Sequence, residues 1–147
     1  MSTNITAETG LVIQLPVNKL GETAAEQEQA LERLRQLLDT KAGLFIKATN
    51  ADQLDVAIDD GKVCFVWWNQ LPPFDDIPPL SELCAALVTY ATRVRRVTTK
   101  PGKVVTNEKY VMRSLLYRLG LGGKDHKQVR QLLLGRLDGN SAWKTPV

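Results

Sequence analysis

The sequence predicts an α+β fold in which a small antiparallel sheet of about three strands packs on helices. Apolar residues recur at every second position on both sides of Asp60-Gly61, which is typical of a β-hairpin with a two-residue turn. Apolar residues recur at helical spacing both before and after this hairpin. The expected order of elements is β-α-β-β-α-α-α, with a C-terminal αα-hairpin.

The length and composition fit one ordinary domain. Of the 147 residues, 44% are hydrophobic and 24% are charged, which is typical of a soluble globular protein. We expect residues 1–9, which are polar, to be a disordered N-terminus, and residues 10–147 to form the single domain. The segment MSTNITAETG lacks the basic and apolar regions of a secretory signal, so we expect a cytoplasmic location and no membrane span.

The sheet is predicted from three short segments. Gly10–Pro16 is an apolar run that proline ends, so we interpret it as a strand. The second strand precedes Asp60-Gly61 and alternates Leu54, Val56 and Ile58 with polar or small residues. The third strand follows the turn and is apolar on both faces, through Val63, Phe65 and Trp67 and through Cys64, Val66 and Trp68. We therefore expect it to be central and covered by helices.

A long helical pattern lies between the first two strands. It covers Glu22–Leu38, and Asp39–Lys41 interrupts it. Three residues beyond the interruption keep the i, i+3, i+4 phase, namely Ala42, Phe45 and Thr49. This phase favours a helix through about Ala48 over a strand at Leu44–Ile46.

The next helix follows a proline-rich connector, Asn69–Pro79, which we interpret as a rigid loop. Ser81 is the expected N-cap. The expected inner side consists of Leu83, Ala86, Leu87, Tyr90, Val94 and Val97. A polar loop, Thr98–Thr106, then leads to the C-terminal helices.

The stretch from Asn107 to Trp143 contains two amphipathic helices joined by glycines. Asn107 is the expected N-cap, and Gly120 supplies the left-handed residue after the first helix. The second helix starts near Lys124 and stops at Gly139-Asn140, with Trp143 folding back on the pair. The inner residues are Val111, Met112, Leu115, Leu116 and Leu119 in the first helix and Val129, Leu132, Leu133 and Leu137 in the second. A helix-turn-helix and an αα-hairpin that closes a core both fit this spacing.

The sequence contains no catalytic or metal-binding signature. Cys64 and Cys84 lie inside apolar patterns and are expected to be buried free thiols. His126 falls near the apolar stripe of its helix, as a partly buried structural histidine would. We therefore expect a protein that is not an enzyme, with no metal and no cofactor.

Charge is distributed unevenly along the chain. Residues 1–90 contain 6 Lys and Arg and 13 Asp and Glu, a formal balance of −7, whereas residues 91–147 contain 13 and 3, a balance of +10. Such an asymmetry can steer a polyanion to one face, attract the two halves of one fold, or pair protomers head to tail.

The basic residues of the last two helices suggest DNA or RNA as a partner. Basic side chains neutralise phosphates, and tyrosine can stack on unpaired bases. The candidate nucleic-acid-binding residues are Lys109, Arg113, Tyr117, Lys124, Lys127 and Arg130. Arg93, Arg95, Arg96, Lys100 and Lys103 could extend this surface.

The same stretch carries a resemblance to a known family. The features concerned are Asn107–Tyr110, Arg113, Arg118–Gly120, Gly123, Lys127, Arg130, Leu132–Leu134, Leu137, Gly139-Asn140 and Trp143, with a weaker match at Lys41–Ala48 and Lys62–Trp68. The chain resembles small "virulence-related" proteins of Gram-positive conjugative transposons and plasmids, although Gly122 and His126 depart from their pattern. A similar tail ends some mobile-element proteins with an amidoligase-like domain.

The resemblance implies the context of a mobile genetic element and supplies no mechanism. Together with the basic helices, it suggests an accessory protein that binds nucleic acid. The alternative is a protein- or peptide-interaction module that docks on an amidoligase-like or other mobile-element enzyme. In that case Trp67, Trp68 or Trp143 would be exposed anchors.

Overall fold

The computed structural model describes residues 10–94 and 107–139, and these confirm the predicted α+β architecture. The elements are β1 (Leu11–Pro16), α1 (Ala24–Thr40), α2 (Ala42–Thr49), β2 (Asp55–Asp59), β3 (Lys62–Trp68), α3 (Ile77–Arg93), α4 (Glu108–Arg118) and α5 (Lys127–Gly135). Short 3-10 turns occupy Val17–Lys19, Phe74–Asp76 and Lys124–His126. The predictions for residues 1–9, the loop Thr98–Thr106 and Trp143 lie outside the described residues.

The three strands form one antiparallel sheet in the order β1-β3-β2, so β3 is central, as its sequence predicts. The β2–β3 hairpin closes at the paired residues Asp59 and Lys62. Between them, Asp60 has a φ of 49° and Gly61 a φ of 72°. Two successive left-handed residues match the twist of the flanking strands, which explains why Asp-Gly is a strong hairpin signal.

Strand β3 is buried on both faces. Phe65 and Trp67 on one face and Cys64 and Trp68 on the other are all buried. The expectation that Trp67 and Trp68 are exposed anchors for a partner is therefore wrong, since they are 0% and 2% exposed. The indole N–H of Trp68 donates to the carbonyl of Thr49 at 3.0 Å.

The segment after β1 is helical, and the structure contains no strand at Leu44–Ile46. The helix starts at Ala24 rather than Glu22 because Thr23 and Glu26 form a capping box, in which each side chain bonds the other's backbone N–H. Lys41, with φ −127° and ψ 33°, separates α1 from α2. The break is shorter than the predicted interruption at Asp39–Lys41, because Asp39 and Thr40 belong to α1.

The predicted start of α3 is wrong. Ser81 lies inside the helix, which begins at Ile77 directly after the 3-10 turn at Phe74–Asp76. Pro78 and Pro79 occupy its first turn, where the N–H that proline lacks would have no intrahelical partner. Of the residues predicted on the inner side of this helix, Leu83 and Leu87 are buried, and Ala86 and Tyr90 are partly buried against the core. Val94 follows the end of the helix, and Val97 lies beyond the described residues.

The helices join the sheet through one hydrophobic core. Helix α1 packs on β2 and on α3, and α3 packs on β1. Helix α5 packs on α2, α3 and α4, so the C-terminal helices are part of this core rather than a separate unit.

Truncating a buried leucine of either C-terminal helix should destabilise the whole domain. Leu116→Ala and Leu133→Ala each remove side-chain atoms that are fully buried, so each should lower the free energy of unfolding by about 2–5 kcal/mol. Urea denaturation measures this. The control Leu71→Ala changes an exposed side chain and should alter stability by less than about 0.5 kcal/mol. A loss as small as the control's for both buried positions would contradict the packing of α4 and α5 into the core.

Candidate nucleic-acid interface

Helices α4 and α5 form the predicted hairpin, but α5 starts later than the predicted Lys124 and ends at Gly135, before the predicted stop at Gly139-Asn140. The side-chain oxygen of Asn107 accepts from the backbone N–H of Tyr110 at 3.3 Å, which confirms it as the N-cap of α4. Gly120 follows with a φ of 85°, as predicted. A 3-10 turn at Lys124–His126 then precedes α5. Of the predicted inner residues, the buried ones are Met112, Leu115, Leu116, Leu119, Val129, Leu133 and Leu137, whereas Val111 and Leu132 are partly buried.

One lysine fixes both ends of this hairpin to α2. Lys47 Nζ lies 2.8 Å from Glu108 Oε1 and 2.8 Å from Asp138 Oδ2. The backbone N–H of Asp138 also donates to Glu108 Oε1 at 2.9 Å, and that of Lys109 donates to the carbonyl of Asp138 at 2.9 Å. The start of α4 and the segment after α5 are thus held at one point.

These contacts shift the titration of all three charged groups. The hydrogen bond from Lys47 lowers the pKa of Glu108, and the backbone N–H of Asp138 lowers it further. The hydrogen bond from Lys47 is also the main cause of the lowered pKa of Asp138. In turn, the hydrogen bonds to Asp138 and then Glu108 raise the pKa of Lys47.

Two further contacts join the hairpin to the rest of the fold. Arg136 Nη2 lies 3.6 Å from Asp76 Oδ2, just before α3. His126 Nδ1 contacts Glu82 Oε1 within α3. His126 is partly buried and packs against a neighbouring helix, as the sequence suggests for a structural histidine.

Three of the six candidate residues come together on the outside of the hairpin. Arg113 stacks over the ring of Tyr117, with its Cζ 4.7 Å from the ring centroid, and its Nη2 donates to Tyr117 Oη at 3.1 Å. Arg130 approaches the same ring from α5 at 5.8 Å. The i, i+4 spacing predicts the first pair. The contact with Arg130 depends on how the two helices pack.

The turn between the helices holds this cluster in place. Arg130 Nη1 donates to the carbonyls of Leu121 and Gly123 at 2.8 and 2.7 Å. The ring of Tyr117 packs closely on Gly122. A Cβ atom added to Gly122 would lie 2.9 Å from Tyr117 Cδ2. Tyr117 nevertheless remains 47% exposed.

The other three candidates differ in setting. Lys124 and Lys127 are exposed at the start of the second helical segment. Lys109 is partly buried and contributes to the low pKa of Asp138, behind the effect of Lys47. Lys109 is therefore close to a carboxylate, and the described contacts do not join it to the cluster around Tyr117.

Three cations from separate elements also lie near one another, and sequence reasoning missed the grouping. Arg93 Nη2 donates to the carbonyl of Arg118 at 3.3 Å. Burial lowers the pKa of Lys41, and the positive charge of Arg118 lowers it further. Arg93 is the last residue of α3, Arg118 is the last residue of α4, and Lys41 separates α1 from α2. Only the tertiary packing brings them together, so no local signal could have revealed the group. Arg95, Arg96, Lys100 and Lys103 lie outside the described residues.

The candidate cations of the hairpin form no ion pair with a carboxylate among the described residues. Within residues 10–94 and 107–139, the ion pairs to carboxylates involve Lys47, His126 and Arg136. None of these pairs includes the five basic candidates, Lys109, Arg113, Lys124, Lys127 and Arg130, or Arg118. Within the part of the chain that the structure describes, these candidates therefore present positive charge that no carboxylate pairs.

The thiols and acids offer little for chemistry in the described part of the chain. Cys64 and Cys84 are buried and free, as predicted. Burial raises the pKa of both thiols, and that of Cys84 rises well above its usual range. No group of three or more His, Cys, Asp and Glu residues there could hold a metal ion. No helix in the same ranges is long and apolar enough to cross a membrane.

No family model, curated protein or solved structure matches the chain.

The Lys47 contacts should make stability depend on pH in a defined window. The lowered pKa values of Glu108 and Asp138 stabilise the fold above the usual carboxyl values of 4.5 and 3.8, and this stability is lost as pH falls through the folded values. The raised pKa of Lys47 stabilises the fold below its usual value of 10.5, with a loss at higher pH. Lys47→Met should therefore be less stable than the wild type between about pH 5 and pH 9, and the difference should shrink in acid.

Urea denaturation across this pH range measures the difference. Lys62→Met is the matched control, because Lys62 is exposed and forms none of the ion pairs found among the described residues. A Lys47→Met deficit that stays constant down to about pH 2 would show that the carboxylates are not its source.

Proposed function

We propose that this protein binds nucleic acid through a basic surface on its C-terminal hairpin, without strong sequence preference. The basic surface consists of Arg113, Tyr117, Lys124, Lys127 and Arg130. One observation carries the proposal: Arg113 and Arg130 meet at the ring of Tyr117, Lys124 and Lys127 are exposed at the start of the second helical segment, and none of these cations is paired with a carboxylate among the described residues. An unpaired cation can neutralise a phosphate without first breaking an ion pair.

The cluster around Tyr117 suits a flexible polyanion. Arg130 is held by two backbone carbonyls through one nitrogen, which orients the guanidinium before any ligand arrives. Arg113 packs on the tyrosine ring and is exposed to solvent. Arginine presents several N–H groups in a fixed plane, so both residues keep donors for phosphate oxygens. This arrangement supports contacts to the backbone of the nucleic acid.

Few side chains on the hairpin could read base edges. Gln128 and Gln131 are exposed amides of α5, and amides of this kind can bond adenine in the major groove. Two glutamines, with no basic side chain placed to read a particular base, do not specify a target sequence. The proposed binding therefore depends on charge, with stacking on Tyr117 as an added contribution where bases are unpaired.

The biological setting belongs to the same proposal. The resemblance of residues 107–143 to tails of mobile-element proteins supports an accessory protein of a mobile genetic element, and we propose that it acts in the cytoplasm. Binding along a nucleic acid without catalysis would fit that setting, and we propose no enzymatic role.

Fluorescence anisotropy with labelled single-stranded and duplex probes tests the proposal. At low salt both probes should bind, and log K should fall by about 0.9 units per log unit of salt for each duplex phosphate contacted. Lys124→Glu with Lys127→Glu should remove most of this binding. Both side chains are exposed and unpaired among the described residues, so the fold should survive. Arg130 is a poorer choice because it also holds the turn.

Lys19→Glu with Lys62→Glu provides the matched control. These lysines are exposed in the acidic half, so the control changes the net charge equally without touching the hairpin. It should keep most of the affinity. Equal losses of affinity in the two double variants would show that binding depends on net charge alone and not on the hairpin. If the folded wild type bound neither probe, the proposal would be eliminated.

A further inference from the structure

The loop between β3 and α3 displays two apolar side chains to solvent. Leu71 is 51% exposed and Phe74 is 79% exposed. Between them, Pro72 and Pro73 restrict the backbone, since the pyrrolidine ring fixes φ. The loop presents these side chains instead of folding them onto the core.

Both ends of this loop are attached to the body of the protein. At its start, the backbone N–H of Asn69 donates to Asp52 Oδ2 at 2.7 Å. At its end, Asp76 pairs with Arg136 at 3.6 Å. A segment that is restricted by prolines and held at both ends loses little conformational entropy when a partner binds it.

The chemistry of the loop complements that of the basic surface. Phe74 is followed by Asp75, which is exposed. Tyr117, in contrast, is flanked by Arg113 and Arg130. Phe74 and Tyr117 are the two large aromatic side chains that are exposed within the described ranges. One carries a neighbouring carboxylate and the other carries neighbouring guanidinium groups.

We propose that the loop Leu71–Asp75 of one copy of this protein docks on the basic surface around Tyr117 of a second copy. Phe74 would pack on the Tyr117 ring, where aromatic pairs gain from offset or edge-to-face contact. Asp75 would meet Arg113 or Arg130, and charge-assisted hydrogen bonds to arginine are the stronger kind. Charge complementarity between the loop and the basic surface favours a second copy as the partner, because every copy carries both.

The contact must form between copies, since Phe74 is largely exposed within its own chain. Each copy carries one loop and one basic surface, so two copies can exchange both contacts in a closed two-fold dimer, or copies can add head to tail into a ring or chain. Self-association should therefore give a closed dimer or a larger assembly. It should also weaken with salt, because exposed charges contribute to it.

Sedimentation equilibrium of the full chain, freed of nucleic acid, tests this proposal without reference to nucleic-acid binding. The wild type should self-associate at about 0.05 M salt and less so at about 0.5 M salt. Phe74→Ser and Arg113→Glu should each lower the association constant at least about tenfold. The control Ile46→Ser removes another exposed apolar side chain, which is 37% exposed, and should leave association unchanged.

Mixing the two variants gives the sharpest result. Phe74→Ser keeps its basic surface and Arg113→Glu keeps its loop, so an equimolar mixture should form a dimer through one intact contact and stop there. Circular dichroism checks that both variants are folded. Three results would overturn the proposal: a wild type that stays monomeric at low salt, variants that associate as the wild type does, or a mixture that stays monomeric. If the wild type stayed monomeric, the exposed loop would instead be a docking site for a different protein.

Discussion

The burial of β3 on both faces is the constraint on which the rest of the structure depends. The rings of Phe45, Phe65 and Trp68 surround Trp67, with centroids 6.5, 5.5 and 5.5 Å away. Phe45 belongs to α2, so the same cluster fixes α2 against the sheet. Helix α2 in turn carries Lys47, which holds both ends of the C-terminal hairpin. The position of the basic surface therefore follows from the packing of one strand.

Only some of the charged side chains form ion pairs that stabilise the fold. Among the described residues, Lys47 and Arg136 pair with carboxylates, and His126 contacts Glu82. Exposed ion pairs of this kind contribute little to stability individually, but they fix geometry. Within residues 10–94 and 107–139, no ion pair involves the cations on the outer side of the hairpin or Asp75 on the loop before α3. Both proposals depend on this remaining charge.

Local signals in the sequence predicted most of the fold, and tertiary contacts account for what they missed. The hairpin at Asp60-Gly61 was predictable because its turn needs left-handed residues. The start of α3 was not, because the prolines that suggested a loop are tolerated in a first helical turn. The alternation that made β3 central also implied that Trp67 is buried, which the anchor hypothesis overlooked. Sequence spacing paired Arg113 with Tyr117. The approach of Arg130 and the grouping of Lys41, Arg93 and Arg118 arise only from helix packing.

Amide NMR spectra of the ¹⁵N-labelled protein, titrated with a single-stranded oligonucleotide, would locate the bound nucleic acid directly. Binding through the basic surface predicts shift changes that cluster from Arg113 to Arg130, across the end of α4, the glycine turn and the start of α5. Residues of the β2–β3 hairpin, which lies in the acidic half, should keep their shifts. Changes centred on that hairpin, or spread evenly over the domain, would contradict the claim that the unpaired cations of α4 and α5 form the binding surface.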